Sequence, residues 1–472
     1  MNIKGFLRSL SWLVVLNVLV KPVWVFGIDR KAQLIVGHES FGAYFSILNL
    51  SIILSIVADA GLTNLLNREL ALGNHLSVSR LAKAKLALSV AYLAVLLFVG
   101  WISGIVQWDL LLLTGLLQVA QSYLVFYRNV VTGRQLFRAD AWLSISDKSL
   151  IILVCGLFLY TPLASSFSLR TFLLIQLGAN CIAIAVAALI AARRKPGVTP
   201  GEGKLSGLFR LSAPFLLVIL LMSVHTRLDA FLLERIHPQG ALQAGIYAAA
   251  YRLLDAGNTA GYLTASFLVP FAARHLHDKK LIDDTVLRLR HFLLLAAMGF
   301  AGLCAGLAPL VMQLLYHSTD QYSANVLVAC VAALPAYYGI HLYGSLLNAS
   351  GRLGLFASVV AGCALVNGVL NMLLIPRWGA LGCCWAAVAS QYLCAIACYL
   401  GARPMFGLRL RPLSVIAYCL LGSMVYGACK TALGTDMGAA FWILNAAIAA
   451  TLIMFAFINS MRPKRNSIRQ TP

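Results

Sequence analysis

The chain has 472 residues, of which 60% are apolar and only 11% are charged, and its formal net charge is +21. A soluble domain is nearer half apolar and a quarter charged, so the composition excludes an ordinary globular protein and indicates a chain solvated mainly by lipid. The sequence has no zinc-finger spacing and no RNP-like motif, so the positive charge does not indicate a nucleic-acid-binding protein.

Apolar segments along the chain predict about fourteen transmembrane helices, since a spanning helix needs about 20 mostly apolar residues. The first is a retained helix, not a cleaved signal peptide, because Lys21 interrupts its apolar run and no small-residue cleavage site follows. Its end is placed before the charged run Asp29-Arg30-Lys31. The segment 242–272 is amphipathic and has the weakest hydropathy. The predicted segments are 9–28, 41–66, 81–104, 108–127, 143–161, 171–192, 208–233, 242–272, 291–316, 322–347, 353–376, 380–401, 412–432 and 438–461.

The basic residues predict how these helices are oriented. With the N-terminus in the cytoplasm, most of the 37 Lys and Arg residues, Lys85 among them, fall in segments on the cytoplasmic side. Cytoplasmic loops of membrane proteins carry such an excess of Lys and Arg. An even number of helices with both termini in the cytoplasm is therefore expected, and most of the net charge is a topology signal.

A polar stretch after the sixth predicted helix suggests how the chain is divided. Residues 193–207 carry a basic run, two prolines and four glycines, which is typical of a flexible linker. We therefore predict an N-terminal lobe of six helices in 1–192, a cytoplasmic linker in 193–207 and a C-terminal lobe of six helices in 208–401. Residues 402–472 would form two extra helices and a basic cytoplasmic tail.

Two short internal echoes support a repeat of six helices. Residues 41–44 read Phe-Gly-Ala-Tyr and residues 244–247 read Ala-Gly-Ile-Tyr. Residues 132–134 read Thr-Gly-Arg and residues 350–352 read Ser-Gly-Arg. Both echoes pair a predicted helix with the sixth one after it, on the same side of the membrane. This is the relation expected for parallel repeats about an axis along the membrane normal.

Five ionisable residues at predicted membrane depth are the candidate functional residues: Asp59, Arg227, Asp229, Arg252 and Asp255. A charge at this depth is costly and usually faces a cavity or a partner. Two interpretations stay open. The charges could pair internally, Arg252 with Asp255 or Arg227 with Asp59, and lock helices together. Alternatively they could line a hydrated cavity of mixed charge for an anionic substrate, because the guanidinium fork suits pyrophosphate.

Other polar groups carry weaker signals. Asn367 and Asn371 share one helix face and are predicted to make hydrogen bonds between helices, in preference to binding a ligand. The eleven cysteines lie mostly inside apolar runs without a C-x-x-C motif, so we expect packing residues and no disulfide framework or metal site. No Walker A, H-E-x-x-H or G-x-S-x-G motif occurs. A transporter without a cofactor is therefore expected, and not an enzyme.

Several short motifs, in a shared order and spacing, resemble the polysaccharide transporters of the multidrug/oligosaccharidyl-lipid/polysaccharide exporter superfamily. The sequence departs from the family at residues 38–40, where His-Glu-Ser replaces a turn of the Gly-Pro-Glu-Glu style. The matching runs are GHESFGAY at 37–44, ADAGL at 58–62, REL at 68–70, RLD at 227–229, YAAAYRLLD at 247–255, NASGR at 348–352, Asn371 through 375–376 (IP), WGALG at 378–382 and WA at 385–386.

The resemblance implies an all-α integral membrane protein in which two six-helix lobes surround a central cavity that opens alternately to each side. It implies a flippase that moves undecaprenyl-diphosphate-linked oligosaccharide from the inner to the outer leaflet of the bacterial cytoplasmic membrane, for an O-antigen-like polysaccharide. Expected partners are this substrate, membrane lipid, a polysaccharide polymerase and chain-length proteins, but no nucleic acid. The five candidate residues match positions that would meet the pyrophosphate and the sugar.

Three alternatives remain. A drug/cation antiporter of the same superfamily would favour a cavity dominated by acids and aromatic residues. A lipid II flippase would share the fold. A membrane-embedded polymerase or ligase is disfavoured, because such enzymes carry a large extracytoplasmic loop and every predicted outer loop here is short.

Overall fold

The computed structural model describes most of the chain and is helical throughout the part described. The predicted span 438–461, the basic tail, and most of the span 9–28 and of the linker 193–207 lie outside the described residues. The described residues are 16, 19–63, 66, 78–133, 136–193, 205–409 and 412–434.

The regular elements follow one another with short connections. A π-helical segment, Val23–Asp29, leads into the first α-helix, and a short 3-10 turn, Pro162–Ser166, precedes α7. The α-helices are α1 (Arg30–Val36), α2 (His38–Leu54), α3 (Ile56–Asp59), α4 (Val78–Ile102), α5 (Trp108–Gly133), α6 (Phe137–Leu159), α7 (Leu169–Arg193), α8 (Leu205–Ile236), α9 (Gly240–Arg274), α10 (Lys279–Gly306), α11 (Ala308–Tyr316), α12 (Gln321–Val331), α13 (Leu334–Ala349), α14 (Leu353–Phe406) and α15 (Pro412–Gly434).

Ten helical stretches among the described residues are long and apolar enough to cross a membrane. Each predicted span between residues 41 and 432 overlaps one of them, except 242–272. That segment is nevertheless helical, as α9, and its low hydropathy agrees with the amphipathic pattern of its sequence. The prediction of an all-α, multi-span membrane protein is confirmed.

The longest helix, α14, contains two crossings. Its 54 residues would extend about 80 Å as one rod, more than twice the roughly 30 Å hydrocarbon core. Gly379 breaks it with φ 54° and ψ −130°, a conformation that glycine adopts without strain. The side chain of Gln243 accepts a hydrogen bond from the Ala380 amide at 2.8 Å, which satisfies a donor freed by the break. The predicted spans 353–376 and 380–401 are thus joined without a loop.

Two predicted boundaries are wrong. The first helix does not end at residue 28 but continues through Val23–Asp29 and α1, and the chain turns only at Gly37, where φ is 87°. The predicted span 291–316 is divided at Leu307, and its first helix starts at Lys279. The Asp278 carboxylate caps that start by accepting from the Leu281 amide at 2.9 Å.

The chain forms two compact units. The first comprises Met1–Arg252 with Arg352–Ser390, and the second comprises Leu253–Gly351 with Gln391–Pro472. In the first unit, α2 packs on α8, and α7 packs on α5 and α6. In the second unit, α10 packs on α15, α13 and α12. The division into the lobes 1–192 and 208–401 stays a prediction.

A close crossing of α2 and α9 organises the first unit. A Cβ atom on Gly42 would lie 1.8 Å from the carbonyl oxygen of Ala241, and one on Gly245 would lie 2.0 Å from that of His38. The two backbones are therefore in direct contact, as small residues permit in membrane helices. These glycines belong to the two echoing segments 41–44 and 244–247, so one of the sequence echoes marks a helix contact.

Candidate functional site

Four of the five candidate residues, Asp59, Arg227, Asp229 and Arg252, lie in the first unit. Asp255 lies on α9 in the second unit, and its side chain is exposed. The four residues of the first unit belong to separate polar groups, each built around a different helix contact.

Arg252 is buried and tied to the N-terminal helix. Its Nε atom donates to the Asp29 carboxylate at 2.5 Å, and its Nη2 atom lies 3.4 Å from the Asp29 carbonyl oxygen. Its Nη1 atom donates to the side-chain oxygen of Gln33. The guanidinium also stacks 4.5 Å above the ring centroid of Phe41. This ion pair explains why the first helix continues past residue 28: the charge of Asp29 is compensated inside the unit.

Gln33 connects the ion pair to the glycine crossing. It is fully buried, and its amide nitrogen donates to the Gly245 carbonyl at 2.9 Å. The same nitrogen lies 3.0 Å from the Nδ1 atom of His38. The bonds around Arg252 therefore hold α1, α2 and α9 together, which agrees with the helix-locking interpretation for this residue.

Asp59 pairs with a lysine that the sequence analysis placed on the cytoplasmic side. The Lys85 ammonium lies 2.6 Å from the Asp59 carboxylate and donates to the Ser122 hydroxyl at 2.7 Å. The Lys85 side chain is 0% exposed, so its assignment to a cytoplasmic segment is wrong. It also lies 5.7 Å from the ring centroids of Tyr123 and Phe126. Asp59 and its charge partner thus form a buried group between α3, α4 and α5.

Replacing Lys85 with methionine is expected to lower the free energy of unfolding by about 3 kcal/mol, because the carboxylate of Asp59 loses its charge partner. Adding Asp59→Asn to Lys85→Met should recover part of that loss. Thermal unfolding of the purified variants in detergent measures both effects. A Lys85→Met protein as stable as the wild type would show that the pair contributes nothing to the fold.

Arg227 lies on α8 and faces α2. Its Nη1 atom donates to the Asn49 side-chain oxygen at 3.2 Å, and Asn49 in turn donates to the Phe45 carbonyl at 2.7 Å. Asn49 is a neutral acceptor, so this bond does not cancel the charge of the guanidinium. The ring of Phe45 lies 6.0 Å from that of Tyr251, whose hydroxyl reaches the α8 backbone. Arg227 is half-buried, beside a small aromatic cluster.

Asp229 lies on the same helix but belongs to a different network. It is 1% exposed and accepts a hydrogen bond from the Asn371 amide at 2.8 Å. Asn371 also donates to Asn367 at 2.9 Å, and Asn367 donates to the Ser390 hydroxyl at 3.1 Å. As predicted, the two asparagines make hydrogen bonds between helices, here joining α8 to both halves of α14.

Sequence reasoning missed three residues of these groups: Gln33, Asn49 and Lys85. The only available signal was an isolated polar side chain inside an apolar segment, which does not identify its partner. Among the described residues, no three His, Cys, Asp or Glu side chains form a group that could hold a metal ion.

Comparison with known proteins places this geometry in a family. The family model described as polysaccharide biosynthesis protein matches residues 7–275, a range that includes all five candidate residues. No curated protein shows a significant sequence match.

Solved structures share the fold at low sequence identity. The lipid II flippase MurJ in an inward closed conformation has a TM-score of 0.69 and 11% identity, covering 95% of this chain and 98% of that one. An outward-facing multidrug resistance MATE family transporter has a TM-score of 0.57 and 13% identity, covering 84% and 94%. A MOP superfamily transporter from Pyrococcus furiosus has a TM-score of 0.53 and 14% identity, covering 84% and 93%.

These structures share the arrangement of helices, and the family model covers more than half of the sequence. The chain belongs to the polysaccharide biosynthesis protein family, within the multidrug/oligosaccharidyl-lipid/polysaccharide exporter superfamily.

Proposed function

We propose that this protein is a flippase that moves undecaprenyl-diphosphate-linked oligosaccharide from the inner to the outer leaflet of the bacterial cytoplasmic membrane by alternating access. The substrate would supply an O-antigen-like surface polysaccharide, and both termini would lie in the cytoplasm. The observation that carries the proposal is the half-buried guanidinium of Arg227, bonded to the neutral Asn49 within the segment that matches the family.

The physical problem in such transport is the diphosphate head group. Its charge cannot enter hydrocarbon unless protein groups replace its hydration. An arginine suits this task, because it stays charged and donates two parallel hydrogen bonds to phosphate oxygens. Arg227 is therefore the first candidate for the head group, while the lipid tail stays in the bilayer.

The other candidates take different parts in the proposal. Arg252 is neutralised by Asp29, so we assign it to holding the N-terminal helix in place. Asp229 is fully engaged between helices, whereas the exposed Asp255 is free to approach a polar part of the substrate. Only Arg227 among the basic candidates thus combines partial exposure with a neutral hydrogen-bond acceptor in the structure.

One alternative retains support from the structure. The carboxylates of the buried Asp229 and the exposed Asp255 suit a cationic substrate, as a drug/cation antiporter of the same superfamily would require. The lipid II flippase alternative rests on likeness of fold, because identity to MurJ is only 11%.

Surface polymer in a strain that lacks its own polysaccharide flippase and makes the cognate sugar unit tests the proposal. The wild type should restore polymer, and Arg227→Ala should lower it about ten-fold or more, since a hydrogen bond to a charged group contributes about 1.5–3 kcal/mol. Arg227→Lys should fall between them, because lysine lacks the fork.

Arg170→Ala is the matched control, since Arg170 is 70% exposed and paired with Asp109. It should retain polymer at equal membrane abundance. Raised resistance to cationic drugs without polymer would favour the antiporter. Rescue of a strain depleted of its lipid II flippase would favour that activity.

A further inference from the structure

A small polar cavity in the first unit has no part in the head-group site. It lies where the end of α2, α3 and the following turn face α5, and its volume is about 270 Å³. Six of its seven lining side chains are polar. The lining residues are Ser55, Asp59, Thr63, Gln118, Gln121, Ser122 and Val125.

Two amides in this cavity lack protein partners. Gln118 and Gln121 lie one turn apart on the face of α5 that lines the cavity, and neither side chain makes a hydrogen bond within the described part of the chain. Gln118 is only 7% exposed. A buried amide without a partner is costly, so these groups are expected to bond to whatever occupies the cavity.

The charges around the cavity define the occupant. The single carboxylate, Asp59, is paired with Lys85, and Lys85 is 0% exposed and does not line the cavity. A phosphate would meet the Asp59 oxygens without reaching a cation. A neutral hydroxyl both donates and accepts, as do the amides and the hydroxyl groups of Ser55 and Ser122. The cavity therefore suits an uncharged, hydroxyl-rich group.

The volume limits the size of the occupant. It corresponds to about nine water molecules at roughly 30 Å³ each. It falls just below the roughly 300–1,000 Å³ of pockets that enclose drug-sized ligands. One sugar ring matches this space, and a whole oligosaccharide does not.

We propose that this cavity, lined by Asp59, Gln118, Gln121 and Ser122, is a subsite for one neutral pyranose ring. Its role in selecting the oligosaccharide rests on the proposed flippase function, but binding of a sugar to it does not. Gln118 and Gln121 would read the ring hydroxyls, and Asp59, held by Lys85, would accept from one of them. A uronic acid would be rejected, because its carboxylate would meet that of Asp59.

Saturation-transfer NMR on the purified full-length protein, in a detergent without a sugar head group, tests binding directly. The probes are methyl glucopyranoside, methyl N-acetylglucosaminide, glucuronate and tetraphenylphosphonium. We expect transfer to at least one of the two neutral glycosides and none to glucuronate. Gln118→Leu and Gln121→Leu should each reduce transfer about ten-fold, as expected for a lost hydrogen bond to a buried amide.

Asn129→Leu is the matched control, since Asn129 lies on the same helix outside the cavity and should leave transfer unchanged. Thermal unfolding of each variant checks that it is folded. No transfer to either glycoside, or equal transfer in the Gln118 and Gln121 variants, would overturn the subsite. So would transfer to tetraphenylphosphonium alone that Asp59→Asn abolishes. Glycoside binding without restored surface polymer would keep the subsite and reject the flippase.

Discussion

Arg252→Ala is expected to lower the free energy of unfolding by about 3 kcal/mol. Removal of one member of a buried ion pair costs roughly 3–5 kcal/mol, and the lower end applies because Asp29 keeps 22% of its side-chain exposure. The variant also leaves Gln33, which is fully buried, without its guanidinium donor. Thermal unfolding of the purified protein in detergent should show the change as a lower midpoint.

A second substitution separates a lost ion pair from general damage. Asp29→Asn in the Arg252→Ala background removes the uncompensated carboxylate and should recover part of the loss. Arg170→Ala breaks an exposed pair with Asp109, for which about 1 kcal/mol or less is expected. If Arg252→Ala and Arg170→Ala are equally stable, the ion pair does not lock the helices.

Surface polymer adds an independent reading of Arg252. A variant that is destabilised but still restores polymer would agree with a helix-holding role. A variant with normal stability and no polymer would instead place Arg252 in contact with the substrate, beside Arg227, and would contradict the role we assign to it.

Gly245→Ala is expected to prevent α2 and α9 from packing and to remove most folded protein from the membrane. The new Cβ atom would lie 2.0 Å from the His38 carbonyl oxygen and 2.7 Å from its carbon. Backbone atoms cannot move aside as a flexible side chain can, so the cost should reach or exceed the 1–3 kcal/mol typical of overpacking. Gly42→Ala should act in the same way against Ala241.

Gly178 provides the matched control for this prediction. It lies on α7 in the same unit, and a Cβ atom there would meet nothing within 4 Å. Gly178→Ala should therefore leave the yield of folded protein unchanged, or raise stability by up to about 1 kcal/mol through helix propensity. Fluorescence-detected size-exclusion chromatography of the three variants makes the comparison. A monodisperse Gly245→Ala protein in wild-type yield would refute the close backbone crossing.

Hydropathy predicts most of this fold because the lipid imposes one simple requirement on each crossing. An apolar run of about 20 residues must become a helix, wherever its neighbours lie. The spans from 41 to 232 and from 322 to 432 could therefore be placed from local sequence alone. Their ends could not, because a charged residue ends a span only when it has no partner inside the protein.

Asp29 and Lys85 show why the charge pattern misled. Asp29 marks the end of an apolar run in the sequence, but its partner Arg252 lies 223 residues further along the chain. Lys85 resembles a positive-inside residue at a helix start, but Asp59 lies 26 residues before it and is buried with it. Pairings of this kind depend on which helices meet, which local sequence does not determine.

The candidate site was predicted as a set of charges, and the structure distributes those charges among separate neighbourhoods. Sequence reasoning identified Arg227 and Asp229 together, two residues apart on one helix. In the structure, Arg227 bonds to Asn49 on α2, whereas Asp229 bonds to Asn371 on α14. Residues two apart on a helix point to different sides, so adjacency in sequence did not imply a shared partner.

The break at Gly379 has a consequence for biochemical work on this chain. The two crossings of α14 meet at one residue whose neighbouring amide is already bonded to Gln243. A protease needs several residues of extended, accessible chain, and this junction offers none, so limited digestion should leave the segment 353–406 intact. An epitope inserted at Gly379 would have to unwind both helices. Reporter tags for mapping the topology therefore belong in the longer connections elsewhere in the chain.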